Sequence, residues 1–337
     1  MEIIRETLWE SPYNTRAFRE YYGGLNWAVL DIESTGLDPK YTKCILVGVV
    51  FPGENCLEAV QILANSRQEE PELLEALNGL LEGVDMLVTY NGRKFDIPYL
   101  QYRFEKQRVP QTIWPCSNLD IYRAANKYSL LRQVLPNLRQ PTVEAYMGLR
   151  TDRTDQIDGG ESVRLYEEFE TYGNAEDREK ILLHNRDDIA QLSRLMALLD
   201  KLDLHRILHH EGFPVVPKPL ASGPKAYVQK ITPDHGGLRI EGACRGLVRD
   251  YYAFETGYEG AFKARQGTFT LFLPMETLEG AHYVDLSQLP EAAVKEVPEK
   301  SPALAGNYLI LYEKEQIHYR EINALVRGMV RWVLEQQ

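Results

Sequence analysis

The chain has 337 residues, 44% of them hydrophobic, enough to bury a sizeable core and to divide into two domains. No apolar run approaches the roughly 20 residues of a membrane helix, and the opening Met1-Glu2-Ile3-Ile4-Arg5-Glu6 is no signal peptide, so a soluble cytoplasmic protein is expected. A formal net charge of −11 excludes a simple nucleic-acid coat protein; residues 205–337 carry 15 Lys and Arg against 16 Asp and Glu, so nearly all the acid excess lies in the first 204 residues.

Residues 1–24 read as an N-terminal extension in which Phe18, Tyr21 and Tyr22 pack on the body before the Gly23-Gly24 break. Residues 27–33 form a first strand, 44–50 a second that is apolar enough to be central, and 56–63 a third after the Pro52-Gly53-Glu54-Asn55 turn. Short strands joined by tight turns predict an antiparallel meander. Residues 69–81 place leucines at 73, 74, 77, 80 and 81, a helical spacing with Pro71 in the first turn. A fourth strand at 84–89 runs through Asn91-Gly92 into a helix at about 95–108, and 118–120 closes a fifth strand with Asp120 opening a helix that carries Arg123 and Lys127. Pro136 and Pro141 punctuate a short helical region, 152–160 is a polar loop, and helices follow at about 161–172 and 175–202. Strands followed by alternating helix and strand predict an α/β domain with a mixed sheet flanked by helices over residues 25–212.

Four prolines mark residues 213–224 as a stiff linker between domains, and His205, His209 and His210 before it read as a frayed helix end rather than a metal site. Residues 225–337 form a smaller, β-rich accessory domain, a barrel or sandwich with short strands at 227–231, 238–244, 247–254, 261–264, 268–273, 282–286 and 308–312 and a closing helix at 320–334. Arg249, Tyr251, Tyr252, Phe262, Lys263, Arg265 and Phe269 alternate aromatic and basic character, a pattern open to single-strand stacking or to an ordinary core beside a solvent face. Cys44, Cys56, Cys116 and Cys244 are scattered without a CxxC pair and read as small buried hydrophobes.

Four carboxylates are set apart by their positions. The run Val29-Leu30-Asp31-Ile32-Glu33-Ser34-Thr35-Gly36 is an apolar strand that ends in two acids at i and i+2, which project to the same side. Two such carboxylates repel unless a cation lies between them, and a divalent metal is the simple one. Asp96 sits at a strand-to-helix junction, five residues after Asn91. His184 and Asp188, at i and i+4, share one helical face, with Asp187 turned about 100° away.

Together Asp31-x-Glu33, Asn91-Gly-x-x-Phe95-Asp96 and His184-x-x-x-Asp188 resemble the three motifs of the DEDD superfamily of 3′-to-5′ exonucleases, which are built on an RNase H-like fold. The order, separations and local contexts agree over about residues 25–202. The stretch from Asp155-Gln-Ile-Asp-Gly159 to His184-Asn-Arg-Asp-Asp188 further resembles the YprB-like branch of predicted nucleases. The resemblance implies that Asp31, Glu33, Asp96 and Asp188 hold two divalent cations, Mg²⁺ or Mn²⁺. It also implies that Thr35, Gly36 and Asn91 contact substrate, a nucleic acid with a free 3′ end. His184 stands where the Tyr-type motif has its Tyr, four residues before the last Asp, so it acts either as general base or as a hydrogen-bond partner behind the acids. The implied activity is hydrolysis of phosphodiester bonds in single-stranded nucleic acid, DNA slightly favoured over RNA, by two-metal chemistry. The alternatives are a non-catalytic nucleic-acid-binding or scaffold protein and a structure-selective endonuclease. Arg93, Lys94, Arg103, Lys106 and Arg108, followed by Arg123, Lys127, Arg132 and Arg139, are candidates for phosphate contacts or a solvated helix face, and residues 225–337 are open to a protein partner.

Overall fold

The structure is a computed structural model that describes residues 1–111, 118–149, 157, 159–217 and 223–337. The chain forms two compact units, Met1–Thr15 with Leu25–Leu202 and Arg16–Gly24 with Asp203–Gln337.

The first unit is built on a six-stranded sheet of β1 (Glu2–Leu8), β2 (Trp27–Ser34), β3 (Cys44–Pro52), β4 (Leu57–Leu63), β5 (Met86–Thr89) and β6 (Asn118–Asp120), in the order β1-β4-β3-β2-β5-β6. β2, β3 and β4 form the expected antiparallel meander, while β5 and β6 run parallel to β2. The chain ends of β2, β5 and β6 therefore point to the same edge of the sheet, where loops gather. The apolar runs of β2 and β3 are buried on both faces because helices cover both. On one face Ala28, Leu30 and Ile32 pack with Leu73, Leu74, Leu77, Leu100 and Phe104. These come from α2 (Glu70–Leu80) and α3 (Asp96–Gln107). On the other, Ile45, Leu46 and Leu63 meet Leu165, Tyr166, Ile181 and Leu182 of α7 (Gly159–Tyr172) and α8 (Ala175–Leu195). Between them in sequence lie α4 (Ile121–Tyr128), α5 (Leu131–Val134) and α6 (Gln140–Met147). The period-2 rule puts Asp31 and Glu33 on the face opposite Leu30 and Ile32, under α8.

Several expectations are corrected. The first 24 residues are not one extension: β1 pairs with β4 along its whole length, whereas helix α1 (Arg16–Tyr22) belongs to the second unit. The helix expected over 175–202 is α-helical only to Leu195 and tightens to a 3₁₀ helix at Met196–Lys201.

The second unit contains α9 (Leu204–Glu211) and a six-stranded antiparallel sheet of β7 (Phe213–Val215), β8 (Lys225–Asp234), β9 (Gly237–Arg245), β10 (Tyr251–Phe254), β11 (Glu259–Lys263) and β12 (Thr268–Pro274). A five-stranded sheet follows, made of β13 (Glu276–Leu278), β14 (Ala281–Asp285), β15 (Leu304–Ala305), β16 (Tyr308–Glu313) and β17 (Gln316–Ile317). The short α10 (Glu291–Val294) and the closing α11 (Tyr319–Glu335) complete it. Residues 213–224 are not a free linker, because Phe213–Val215 is buried and pairs with β8; residues 218–222 of that stretch lie outside the described ones. The histidines before it are not a frayed end. His209 is buried with Nδ1 3.3 Å from Asn323 Oδ1, and burial pushes its pKa down to about 4. His205 Nδ1 lies 2.7 Å from the Tyr21 hydroxyl. Phe262 and Phe269 stack in the core at 4.8 Å, so these two members of the aromatic-basic pattern cannot meet a nucleic acid. Cys44 and Cys244 are buried and Cys56 half-buried, while Cys116 lies outside the described residues.

Candidate metal centre

Asp31 and Glu33 leave β2 side by side, the strand being pinned by Val29, Asp31 and Glu33 opposite Val50, Gly48 and Leu46 of β3. Asp96 opens α3 and is buried; its Oδ1 accepts a hydrogen bond from Ile32 N at 3.2 Å, which holds the helix start against β2 between the two strand acids. The sequence sets this junction through Asn91-Gly92. Asn91 takes a left-handed φ of 64°, and a Cβ on Gly92 would lie 2.5 Å from the Thr89 side chain, so the chain turns sharply over its own strand end. Asp120, closing β6, fastens that turn: its carboxylate accepts from Asn91 N at 2.9 Å, Arg93 N at 3.2 Å and Arg123 N at 3.1 Å.

α8 supplies the remaining groups. His184 Nε2 lies 3.7 Å from Glu33 Oε1 and 3.6 Å from Asp188 Oδ2, and ligand atoms of the three residues all fall within 4.8 Å of one another. Asp187 faces away and pairs with Arg186, as the helical offset requires. α8 is anchored beside the site by Gln140 of α6, whose Nε2 donates to the Asp188 carbonyl at 3.0 Å. Ser162 of α7, wholly buried, donates to Glu33 Oε2 at 3.1 Å.

The electrostatics follow from gathering these acids. Burial raises Asp31 well above the usual carboxylate range, and Asp96, Asp188 and Glu33 push in the same direction, against one hydrogen bond from Asn185. Burial lifts Glu33 to about 7, with His184 pulling down and Asp188 pushing up. Burial likewise lifts Asp96 to about 7 in spite of the bond from Ile32 N. An all-oxygen set of this kind, with an imidazole at its rim, suits a hard divalent cation. Asp31, Glu33, Asp96 and Asp188 are the residues that could hold it.

The loop after β2 carries the expected substrate contacts. Gly36 has φ 151° and faces Thr42, with the Thr42 hydroxyl donating to Gly36 O at 3.0 Å; the Thr35 hydroxyl accepts from Lys43 N at 3.0 Å, so the backbone here is held in a defined path. Leu37 and Tyr41 stand exposed on it. Of the candidate phosphate ligands, Arg103 is wholly buried. It binds Glu70 and donates to Pro39 O at 2.8 Å, so it clamps this loop and does not reach solvent. Lys106 Nζ donates to Lys40 O at 2.5 Å from the same helix. The segment from Asp155 that carries part of the sequence resemblance lies outside the described residues, apart from Ile157 and Gly159.

Sequence reasoning missed Ser162, Gln61 and Asn185. Only Gly48, a glycine inside an otherwise apolar strand, signalled that something comes close there.

A mixed sheet in this order, covered by helices on both faces and carrying its acids at one edge, is an RNase H-like α/β fold. The family model of the RNase H superfamily matches residues 28–200, and the chain belongs to that superfamily. Comparison with curated protein sequences gives no match. Among solved structures the chain is similar to the family B DNA polymerase of the hyperthermophilic archaeon Pyrobaculum calidifontis, at 18% identity and a TM-score of 0.42. It is also similar to Brucella melitensis NrnC, at 16% and 0.32, and to E. coli Exonuclease I in complex with a dT13 oligonucleotide, at 11% and 0.33. These matches cover 52%, 57% and 65% of this chain, and 24%, 79% and 55% of the respective partners. No helix among the described residues is long and apolar enough to cross a membrane.

Proposed function

We propose that the protein is a metal-dependent nuclease of the DEDD type, in the YprB-like branch, that removes nucleotides from the 3′ ends of single-stranded nucleic acid, with DNA favoured slightly over RNA. The observation that carries this reading is the meeting of Asp31, Glu33, Asp96 and Asp188 from three separate elements, with His184 at 3.6–3.7 Å from Glu33 and Asp188. Two Mg²⁺ or Mn²⁺ ions, when bound, supply stabilisation of the attacking and leaving oxygens of an in-line phosphoryl displacement.

The chain's own residues do the rest. By the resemblance to the DEDD motifs, Asp31 would help to hold both ions, Glu33 and Asp188 would complete the set for the first, and Asp96 would hold the second. His184 Nε2, directed at Glu33 and Asp188, takes or orients the proton of the attacking water. Ser162 fixes the Glu33 carboxylate. The held backbone at Thr35 and Gly36 and the strained turn at Asn91 frame the place where the terminal nucleotide sits. The second unit serves as an accessory domain open to a protein partner.

The test is degradation of 5′-labelled and 3′-labelled DNA and RNA strands with Mg²⁺ or Mn²⁺. A ladder from the 5′-labelled strand that vanishes in Asp31→Ala supports 3′-end attack, and its dependence on sugar settles DNA against RNA. Cleavage that persists in Asp31→Ala refutes the assignment.

A further inference from the structure

Asp31, Gly48 and Gln61 lie in one row across the sheet: Asp31 of β2 is paired with Gly48 of β3, and Gly48 with Gln61 of β4. Asp31 and Gln61 are thus two strand spacings apart, about 9–10 Å, too far to touch. Above the glycine between them stands Asn185 of α8, fully buried. A Cβ on residue 48 would come 2.3 Å from Asn185 Oδ1 and 2.8 Å from Ile189 Cγ2, so only glycine admits the amide into this gap.

The hydrogen bonds fill the gap in a single direction. Gln61 Nε2 donates to Leu182 O at 2.9 Å and to Asn185 Oδ1 at 2.9 Å, using both its hydrogens on buried acceptors. That fixes which way the Asn185 amide faces, because its oxygen is taken by Gln61. Its Nδ2 is turned to Asp31 Oδ2, at 3.2 Å. An aspartate in this place would offer no donor and add a like charge; a leucine would leave one Gln61 hydrogen and Asp31 Oδ2 without this partner.

We propose that Asn185, set by Gln61 and admitted by Gly48, is a positioning residue that holds the Asp31 carboxylate in the orientation needed to bind the metal. The proposal rests on the metal-dependent reading of the site and deepens it. Asp31 is repelled by three neighbouring acids, and among the described residues the Asn185 amide is the side-chain donor that restrains it. Groups that orient ligands in this way affect metal affinity and turnover together.

The test is a Mn²⁺ titration of the full chain, with free Mn²⁺ followed by electron paramagnetic resonance, beside steady-state cleavage of a single-stranded oligonucleotide. Asn185→Ala is expected to weaken Mn²⁺ binding by about 10–100-fold and to lower kcat with KM little changed. Gln61→Leu, which frees the amide to rotate, should shift both in the same direction by less, and it carries the test where Asn185→Ala does not fold. Ile189→Val loosens the same helix contact without touching the hydrogen bonds. It should lower the unfolding temperature and leave Mn²⁺ affinity as in the wild type. A folded Asn185→Ala that binds Mn²⁺ as tightly as the wild type overturns the positioning role alone. A wild-type chain that binds no Mn²⁺ overturns that role and the metal-dependent reading together.

Discussion

Two sets of acids in the first unit, Glu70 on one side and Asp31, Glu33 and Asp96 on the other, behave in opposite ways. Glu70, fully buried at the start of α2, accepts hydrogen bonds from Arg103 Nε at 2.7 Å, Cys44 N at 2.9 Å and Gln107 Nε2 at 2.5 Å, and pairs with Lys43 at 3.1 Å. Burial pushes its pKa up, and these partners outweigh burial and bring it below the ordinary value. Glu33 and Asp96 are buried and Asp31 half-buried, but they lie close to one another and rise instead. The two diverge because Glu70 meets Arg103 and Lys43, whereas Asp31, Glu33 and Asp96 lie among like charges. An acid met by cations holds a loop in place; acids that face one another are, on the proposed reading, a site for a divalent cation.

The largest expected effect breaks the acid cluster. Asp31→Ala or Asp188→Ala should reduce cleavage to background while circular dichroism shows an unchanged fold. Removing His184, which lines the cluster without being an acid, should slow cleavage by about 10²–10⁴-fold and change its pH profile, as read from kcat/KM between pH 5 and 9.

Breaking the Glu70 side should act on stability. Arg103→Ala leaves Glu70 buried without its main partner and should cost about 3–5 kcal/mol in denaturant unfolding. Asp31→Asn removes one of several repelling charges, so it should raise the unfolding temperature of the metal-free protein while eliminating cleavage.

A smaller effect sharpens the contrast through pH. Glu33 and Asp96 stand near 7 in the folded chain against ordinary values of 4.5 and 3.8. Between those values the folded state holds protons that the unfolded state has released. The metal-free protein is therefore most stable below about pH 4 on this account and loses that stability as pH rises through 7. Scanning calorimetry in EDTA should show the unfolding temperature falling from pH 5 to pH 8 by more in the wild type than in Asp31→Asn. Added Mg²⁺ should recover more of it at pH 8 than at pH 5, since binding needs the ionised carboxylates.

Much of this site is legible in the sequence because each acid ends or opens an element with a strong local signature. The apolar run into Asp31-Ile32-Glu33, the Asn91-Gly92 turn and the i, i+4 pair of His184 and Asp188 depend on short-range geometry alone. What brings Gln61 and Asn185 to Asp31 is strand register and a helix crossing, which join residues 154 positions apart in sequence for the Asn185 bond. The edge position of β1 was hidden for the same reason, since Glu2–Leu8 finds its partner only once β4 is folded. Phe213–Val215 reads as linker because four prolines between 214 and 224 mimic one, although Pro214 can sit in a strand at the sheet edge, where β7 lies. Arg103 reads as one more surface cation in a basic helix. Its burial follows from Glu70, whose own role emerges only when α2 and α3 pack side by side.

The central claim is that Asp31, Glu33, Asp96 and Asp188 form a divalent-metal site, and calorimetric titration of Mn²⁺ into the wild type and Asp31→Ala at pH 8 tests it most directly. The account predicts two bound ions per wild-type chain and loss of binding in the variant. An absence of binding to the wild type, or equal binding by both proteins, would contradict it.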